Sequence, residues 1–138
     1  MAKKVVGMRK DEQVTIDYGQ RTDFPLLAEG EHDAVIHSMR PENGPLGTYL
    51  RTRFSIENDE LNRQAWMNIS LADGALWRIK QMARSLKLVA EARTYANRAE
   101  FEADVVQMFT GQPVRISIEN EKFQGVVRNR VVSVTARN

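Results

Sequence analysis

Hydrophobic and polar residues alternate along "YLRTRFSI": Leu50, Thr52, Phe54 and Ile56 fall on one side, Tyr49, Arg51, Arg53 and Ser55 on the other. A period of two predicts a half-buried strand, with the first set facing a core. The same period recurs in "LAEGEHDAVIHSM", opened by Gly30, where Ala34 and Ile36 oppose Val35 and His37. It recurs again in "RQAWMNISL", where Ala65, Met67, Ile69 and Leu71 point inward and Trp66 and Asn68 outward. Between the first two of these strands, "RPENGPLGT" carries two prolines, two glycines and an Asn-Gly pair, and predicts a turn. "ENDELN" predicts the next one.

The period then changes to that of a helix. Asp73 is the expected cap of "GALWRIKQMARSLKL", with Leu76, Ile79, Met82, Ala83 and Leu86 along the buried stripe and Trp77, Lys80, Arg84 and Lys87 on the other side. Asn97, with Glu100 three residues on, predicts a second helix with a core stripe of Phe101, Val105 and Met108 and a stop at Gly111. "VAEARTYA", between the two, reads equally as helix or loop. Alternation resumes in "QPVRISIE", which buries Val114, Ile116 and Ile118, passes a hairpin tip at "NEKFQG", and continues in "VVRNRVVSVTAR". In that last strand Arg128 and Arg130 share the parity of Val132 and Val134, so either a bulge intervenes or the arginines lie beyond the end of the core.

The expected class is thus mainly β with a helical insert (α+β): five strands, with helices between the third and fourth. That is the order of an OB-fold-like five-stranded barrel, although a sandwich of small sheets has the same order. Residues 1–23 are polar and weakly patterned, with "VTIDY" at most a short strand, and are read as an N-terminal arm; residues 24–138 form the domain.

Composition narrows the chemistry more than charge does. The net charge of +2 is too small to argue for any partner alone, but basic residues concentrate at Arg78, Lys80, Arg84 and Lys87 and in the segment after Pro113. The absence of cysteine removes disulfides, thiolate metal sites and thiol nucleophiles, and fits a reducing cytoplasm. No signal-peptide pattern or membrane-spanning apolar run is present, so no membrane association is expected. His32 and His37 should point to opposite faces of a strand, a poor geometry for one metal; no metal or cofactor is expected. The serines lack a histidine at any recognisable spacing, and no phosphate-binding loop occurs, so nothing points to an enzyme.

The unusual surface is the outer face of the second and third strands. In an OB-fold, ligands lie across that face, flanked by loops. Here it would present Tyr49, Arg51, Arg53, Trp66 and Asn68, with Arg40, Lys122 and Phe123 from the loops and Arg128 and Arg130 from the fifth strand. Aromatic rings that stack on unpaired bases, interleaved with cations for phosphates, suit sequence-tolerant binding of single-stranded nucleic acid. Two bland alternatives compete. Arg51 and Arg53 could pair with Glu57 or Glu60 as an ordinary solvated face, with Trp66 covered by the N-terminal arm or a neighbouring subunit, or Tyr49 and Trp66 could form a dimer or partner interface, since Arg, Tyr and Trp are also enriched at protein interfaces.

Five segments in order, "FPLLAEGEHDAVI", "YLRTRFSIEN", "NRQAWMNISL", "ALWRIKQMARSLKL" and "FTGQPVRISIENEKFQGVVRNRVVSV", resemble a bacteriophage family of small single-stranded-DNA-binding-like proteins, long catalogued as a domain of unknown function. The Trp66–Leu71 pattern and the "GQPV…KFQG…RN" tail carry most of the likeness. His32 departs from it, standing where an aromatic is expected, as do Arg63 and Gln64, near where Gly-Arg or Gly-Lys is common. The resemblance implies an OB-like barrel, single-stranded DNA as ligand, a role in phage DNA replication, recombination or repair, and residence in the host cytoplasm. It also implies partners among phage replication or recombination proteins.

Overall fold

The computed structural model describes residues 26–88 and 91–137. The expected N-terminal arm, including "VTIDY", lies outside them. The described chain contains five strands, β1 (Gly30–Gly44), β2 (Gly47–Ile56), β3 (Gln64–Ser70), β4 (Pro113–Phe123) and β5 (Val126–Ala136). Two helices, α1 (Trp77–Ser85) and α2 (Arg98–Phe109), lie between β3 and β4. All strands join one antiparallel sheet in the order β3-β2-β1-β4-β5. Among the described residues no helix is long and apolar enough to cross a membrane.

Side-chain alternation builds the core. Leu50, Thr52 and Phe54 of β2 are fully buried, as are Ala34 and Ile36 of β1, Ile69 of β3 and Val114, Ile116 and Ile118 of β4. Each large apolar side chain removed from water contributes about 1.5 to 3 kcal/mol. The Thr52 hydroxyl meets the need of a buried polar group by donating to the Leu50 carbonyl at 3.3 Å. Ile79, Met82 and Ala83 of α1 and Val105 and Phe109 of α2 complete the cluster. The stripe on α2 runs Phe101, Val105, Phe109, and Phe109, not Met108, is fully buried beside Val105.

Three expectations about segment boundaries are corrected. The "RPENGPLGT" segment is mostly strand: β1 runs through Arg40 and Glu42 to Gly44, and only Pro45 and Leu46 form the turn. The "NEKFQG" tip likewise contracts to Gln124 and Gly125, both at positive φ (50° and 79°), because long pairing of β4 with β5 favours a two-residue turn matching strand twist. Asp73 does not cap α1. It opens a 3-10 turn, Asp73–Ala75, and α1 starts after Leu76 with no side-chain cap. Asn97 does cap α2, accepting from the Glu100 N–H at 2.9 Å, while the Glu100 carboxylate accepts from the Ala96 N–H. The described part of "VAEARTYA" contains no helix; the Tyr95 hydroxyl there donates to Asp104 of α2.

Two bulges set which residues face outward. His37 is an extra residue between the Ile36–Phe54 and Ser38–Arg53 pairs, so inward parity passes from Ile36 to Met39 and Arg40 turns outward. Val132 is the extra residue between the Ser133–Ser117 and Val131–Ile118 pairs. It buries Val131 and Val134 together and leaves Arg128 and Arg130 outside, which resolves their parity in favour of a bulge. The sheet does not close into a barrel: β3 and β5 come near one another but share no ladder. The Val132 bulge bends β5 at this seam, and the side chains of Trp66, Asn68 and Arg130 line the gap.

Candidate nucleic-acid interface

Register across β1, β2 and β3 sorts the outer face into three rows. Ser38, Arg53 and Trp66 form the first, Arg40, Arg51 and Asn68 the second, and Glu42, Tyr49 and Ser70 the third. The expected strip is therefore contiguous, and Arg40 joins it from strand β1 instead of from a loop.

Trp66 is its centre. The ring is 44% exposed, with the Arg51 guanidinium carbon 4.5 Å from its centroid and that of Arg53 at 5.8 Å. Both fall within cation–π range, about 6 Å. Arg53 also donates to Nδ1 of His37 at 2.5 Å, while its Nε is buried without a hydrogen-bond partner among the described residues. Arginine only donates, so Nδ1 of His37 is the acceptor in this contact. Arg51 makes no ion pair among the described residues, and Glu57 pairs instead with Arg137 at 2.8 Å. Pairing of Arg51 and Arg53 with Glu57 or Glu60 is thus not what the fold does.

Tyr49 is held more firmly than a free stacking ring. Its hydroxyl donates to Glu42 at 3.3 Å, and Glu42 also meets Arg40 at 3.4 Å. The ring lies against Gly44, where a Cβ would stand 3.0 Å from its Cε1 atom and press on the ring.

The β4–β5 hairpin supplies the opposite wall. A cleft of about 540 Å³ is lined by Tyr49, Arg51, Trp66 and Asn68 on one side and Arg128 and Arg130 on the other, joined by Gln64, Asn129 and Glu121. Glu121 pairs with Arg128 at 2.9 Å and so offsets one of the three arginines. Arg128 also stacks at 4.3 Å on Phe123, which sets that ring at the hairpin tip, away from the cleft lining. Lys122 is not part of this wall. It pairs opposite Val127 on the side set by buried Ile118, whereas Glu121 and Arg128, which line the cleft, occupy the other side. Simple alternation from Ile118 sends Lys122 there, so its placement in a binding loop is corrected.

Two lining residues were missed by sequence patterns. Asn129 accepts from the Leu27 N–H at 2.9 Å and donates to the Leu27 carbonyl at 3.1 Å, tying the start of the described chain to β5. Arg78, adjacent to exposed Trp77, lines a second opening of about 290 Å³ with Trp66, Asn68 and Arg130. No local spacing links a helix arginine to a strand tryptophan; only the way α1 packs brings them together. His32 and His37 each have other partners, the Ala28 carbonyl and Arg53.

Away from this surface, Asp59 and Arg63 form a bidentate pair at 2.8 to 3.2 Å in the β2–β3 turn. Hydrogen bonds from the Arg63 side chain hold the Asp59 carboxyl down at about 2. The turn that begins β3, and hence the position of Trp66, is built on that pair.

The rings and cations thus border one open gap; no family model matches the protein, and a search of curated proteins finds no match either.

Proposed function

We propose that the protein binds single-stranded DNA without catalysis and with little sequence preference, in the open seam between β3 and β5. The observation that carries this reading is the convergence of Tyr49, Trp66, Arg51, Arg128 and Arg130 on one cleft. Bases would stack on Trp66 or on the Arg51 guanidinium already lying over it, while Arg128 and Arg130 meet phosphates from the far wall. Arg53 positions Trp66, and Arg40 extends the positive face along β1. Asn68, opposite Arg51, offers a side-chain amide to a base edge.

The strand order, with helices between β3 and β4, supports an OB-like architecture whose usual closing ladder is replaced by the cleft. The resemblance to the phage family supports placing this activity in DNA replication, recombination or repair, in the host cytoplasm and beside other phage proteins. The competing occupant of the same face is a second protein copy or a partner.

Titration with fluorescein-labelled oligo-dT at several salt concentrations, with oligo-rU as comparator and light scattering in parallel, tests the proposal. Log affinity should fall with log salt at a slope of about 0.7 per phosphate contacted. No binding at low salt overturns it. A tight oligomer with no affinity for either oligonucleotide assigns the face to protein contact.

A further inference from the structure

We infer that the strand's path does not end on the sheet but crosses the seam onto α1, where Trp77 and Arg78 form a second stacking platform. This rests on the single-strand reading above. The two openings share Trp66, Met67, Asn68, Glu121 and Arg130, so they adjoin along the groove, with Tyr49 and Arg128 lining only the first and Arg78 only the second.

At the Arg78 end the sheet's device is repeated. The Arg78 guanidinium carbon lies 5.0 Å from the Trp77 ring centroid, as Arg51 lies over Trp66. Trp77 is 56% exposed and takes no part in the buried stripe of Ile79, Met82 and Ala83, so packing does not explain a tryptophan here. Lys80 and Arg84, both exposed, follow it at three and seven residues along the same side of α1, a helix without any acidic residue. A chain leaving the groove past Arg78 meets an aromatic face first and then a line of cations, the arrangement that continues base stacking and phosphate neutralisation. A protein partner recognised by charge alone would not require the indole.

The test compares oligo-dT of about four and about twelve nucleotides, the short one filling only the sheet, within the range of about 4 to 16 nucleotides per OB-type site. Wild-type protein should prefer the longer oligonucleotide, and Trp77→Ala should shrink that preference by about five- to a hundredfold. Because the chain has two tryptophans, Trp66→Phe leaves Trp77 as the sole reporter, and its fluorescence should be quenched by the long oligonucleotide and not by the short one. Unchanged length preference in Trp77→Ala, or an unquenched Trp77 with the long oligonucleotide bound, overturns this inference and leaves the sheet site standing. Failure of both lengths to bind wild-type protein overturns the single-strand reading itself.

Discussion

Replacing Trp66 by alanine separates stacking from charge. In the free protein the indole supports Arg51 at 4.5 Å and Arg53 at 5.8 Å, contacts worth about 0.5 to 1 kcal/mol each at an exposed ring. The variant should therefore lose about 1 to 2 kcal/mol of stability, visible in urea unfolding with an unchanged m value. The loss in binding should be smaller than for an unobstructed ring. A stacked base contributes about 1 to 3 kcal/mol, but where it displaces Arg51 it forfeits about 0.5 to 1 of that. The net, about 0.5 to 2 kcal/mol, corresponds to a roughly 2- to 30-fold weaker dissociation constant. Anisotropy of a labelled oligo-dT measures it at several salt concentrations. Trp66→Ala should lower affinity at every salt and leave the slope unchanged, because no phosphate contact is removed; Arg51→Ala should reduce the slope by about 0.7. Intact affinity in Trp66→Ala, or a changed slope with constant low-salt affinity, would refute the assignment of Trp66 to base stacking.

The facing of the β4–β5 hairpin predicts that Arg130→Ala weakens oligo-dT binding and lowers the salt slope by about 0.7, while Lys122→Ala changes affinity less than twofold; equal effects would contradict the register. Asp59→Ala should cost about 1 to 3 kcal/mol by removing the carboxylate that accepts from the Arg63 side chain and the Arg63 N–H, measured by chemical unfolding. Because the folded-state Asp59 carboxyl sits near 2, below its unfolded value, its stabilisation is full above about pH 4 and is lost as pH falls through 2; acid titration of Asp59→Asn should lack that component. Asn97→Ala removes the α2 cap and should destabilise by about 1 kcal/mol without altering DNA affinity, since α2 does not line the groove.

Much of the fold was legible because burial leaves a local signature. Leu50, Thr52 and Phe54 must share a face whatever their strand's neighbours, and Tyr49, Arg51 and Arg53 must share the other. Asn97 and Glu100 cap a helix through groups only a few residues apart, so their spacing suffices. Asp73 shows the limit of that logic: a capping residue type in a capping position, taken up instead by the 3-10 turn that precedes α1.

Alternation alone settles the inward and outward sets of β2, β3 and β4, the helical stripes and the Tyr49–Arg51–Arg53 strip. Tertiary structure alone decides where that alternation is interrupted. An extra residue at His37 or Val132 changes little in local sequence, yet each bulge is selected by pairing with a distant strand and resets parity for everything beyond it. Through those two bulges Arg40 joins the sheet face and Arg128 and Arg130 face the cleft, while unbroken alternation in β4 turns Lys122 away. The separation of β3 from β5, and the arrival of Arg78 beside Trp66, depend on packing between segments far apart in sequence, where no periodicity reaches.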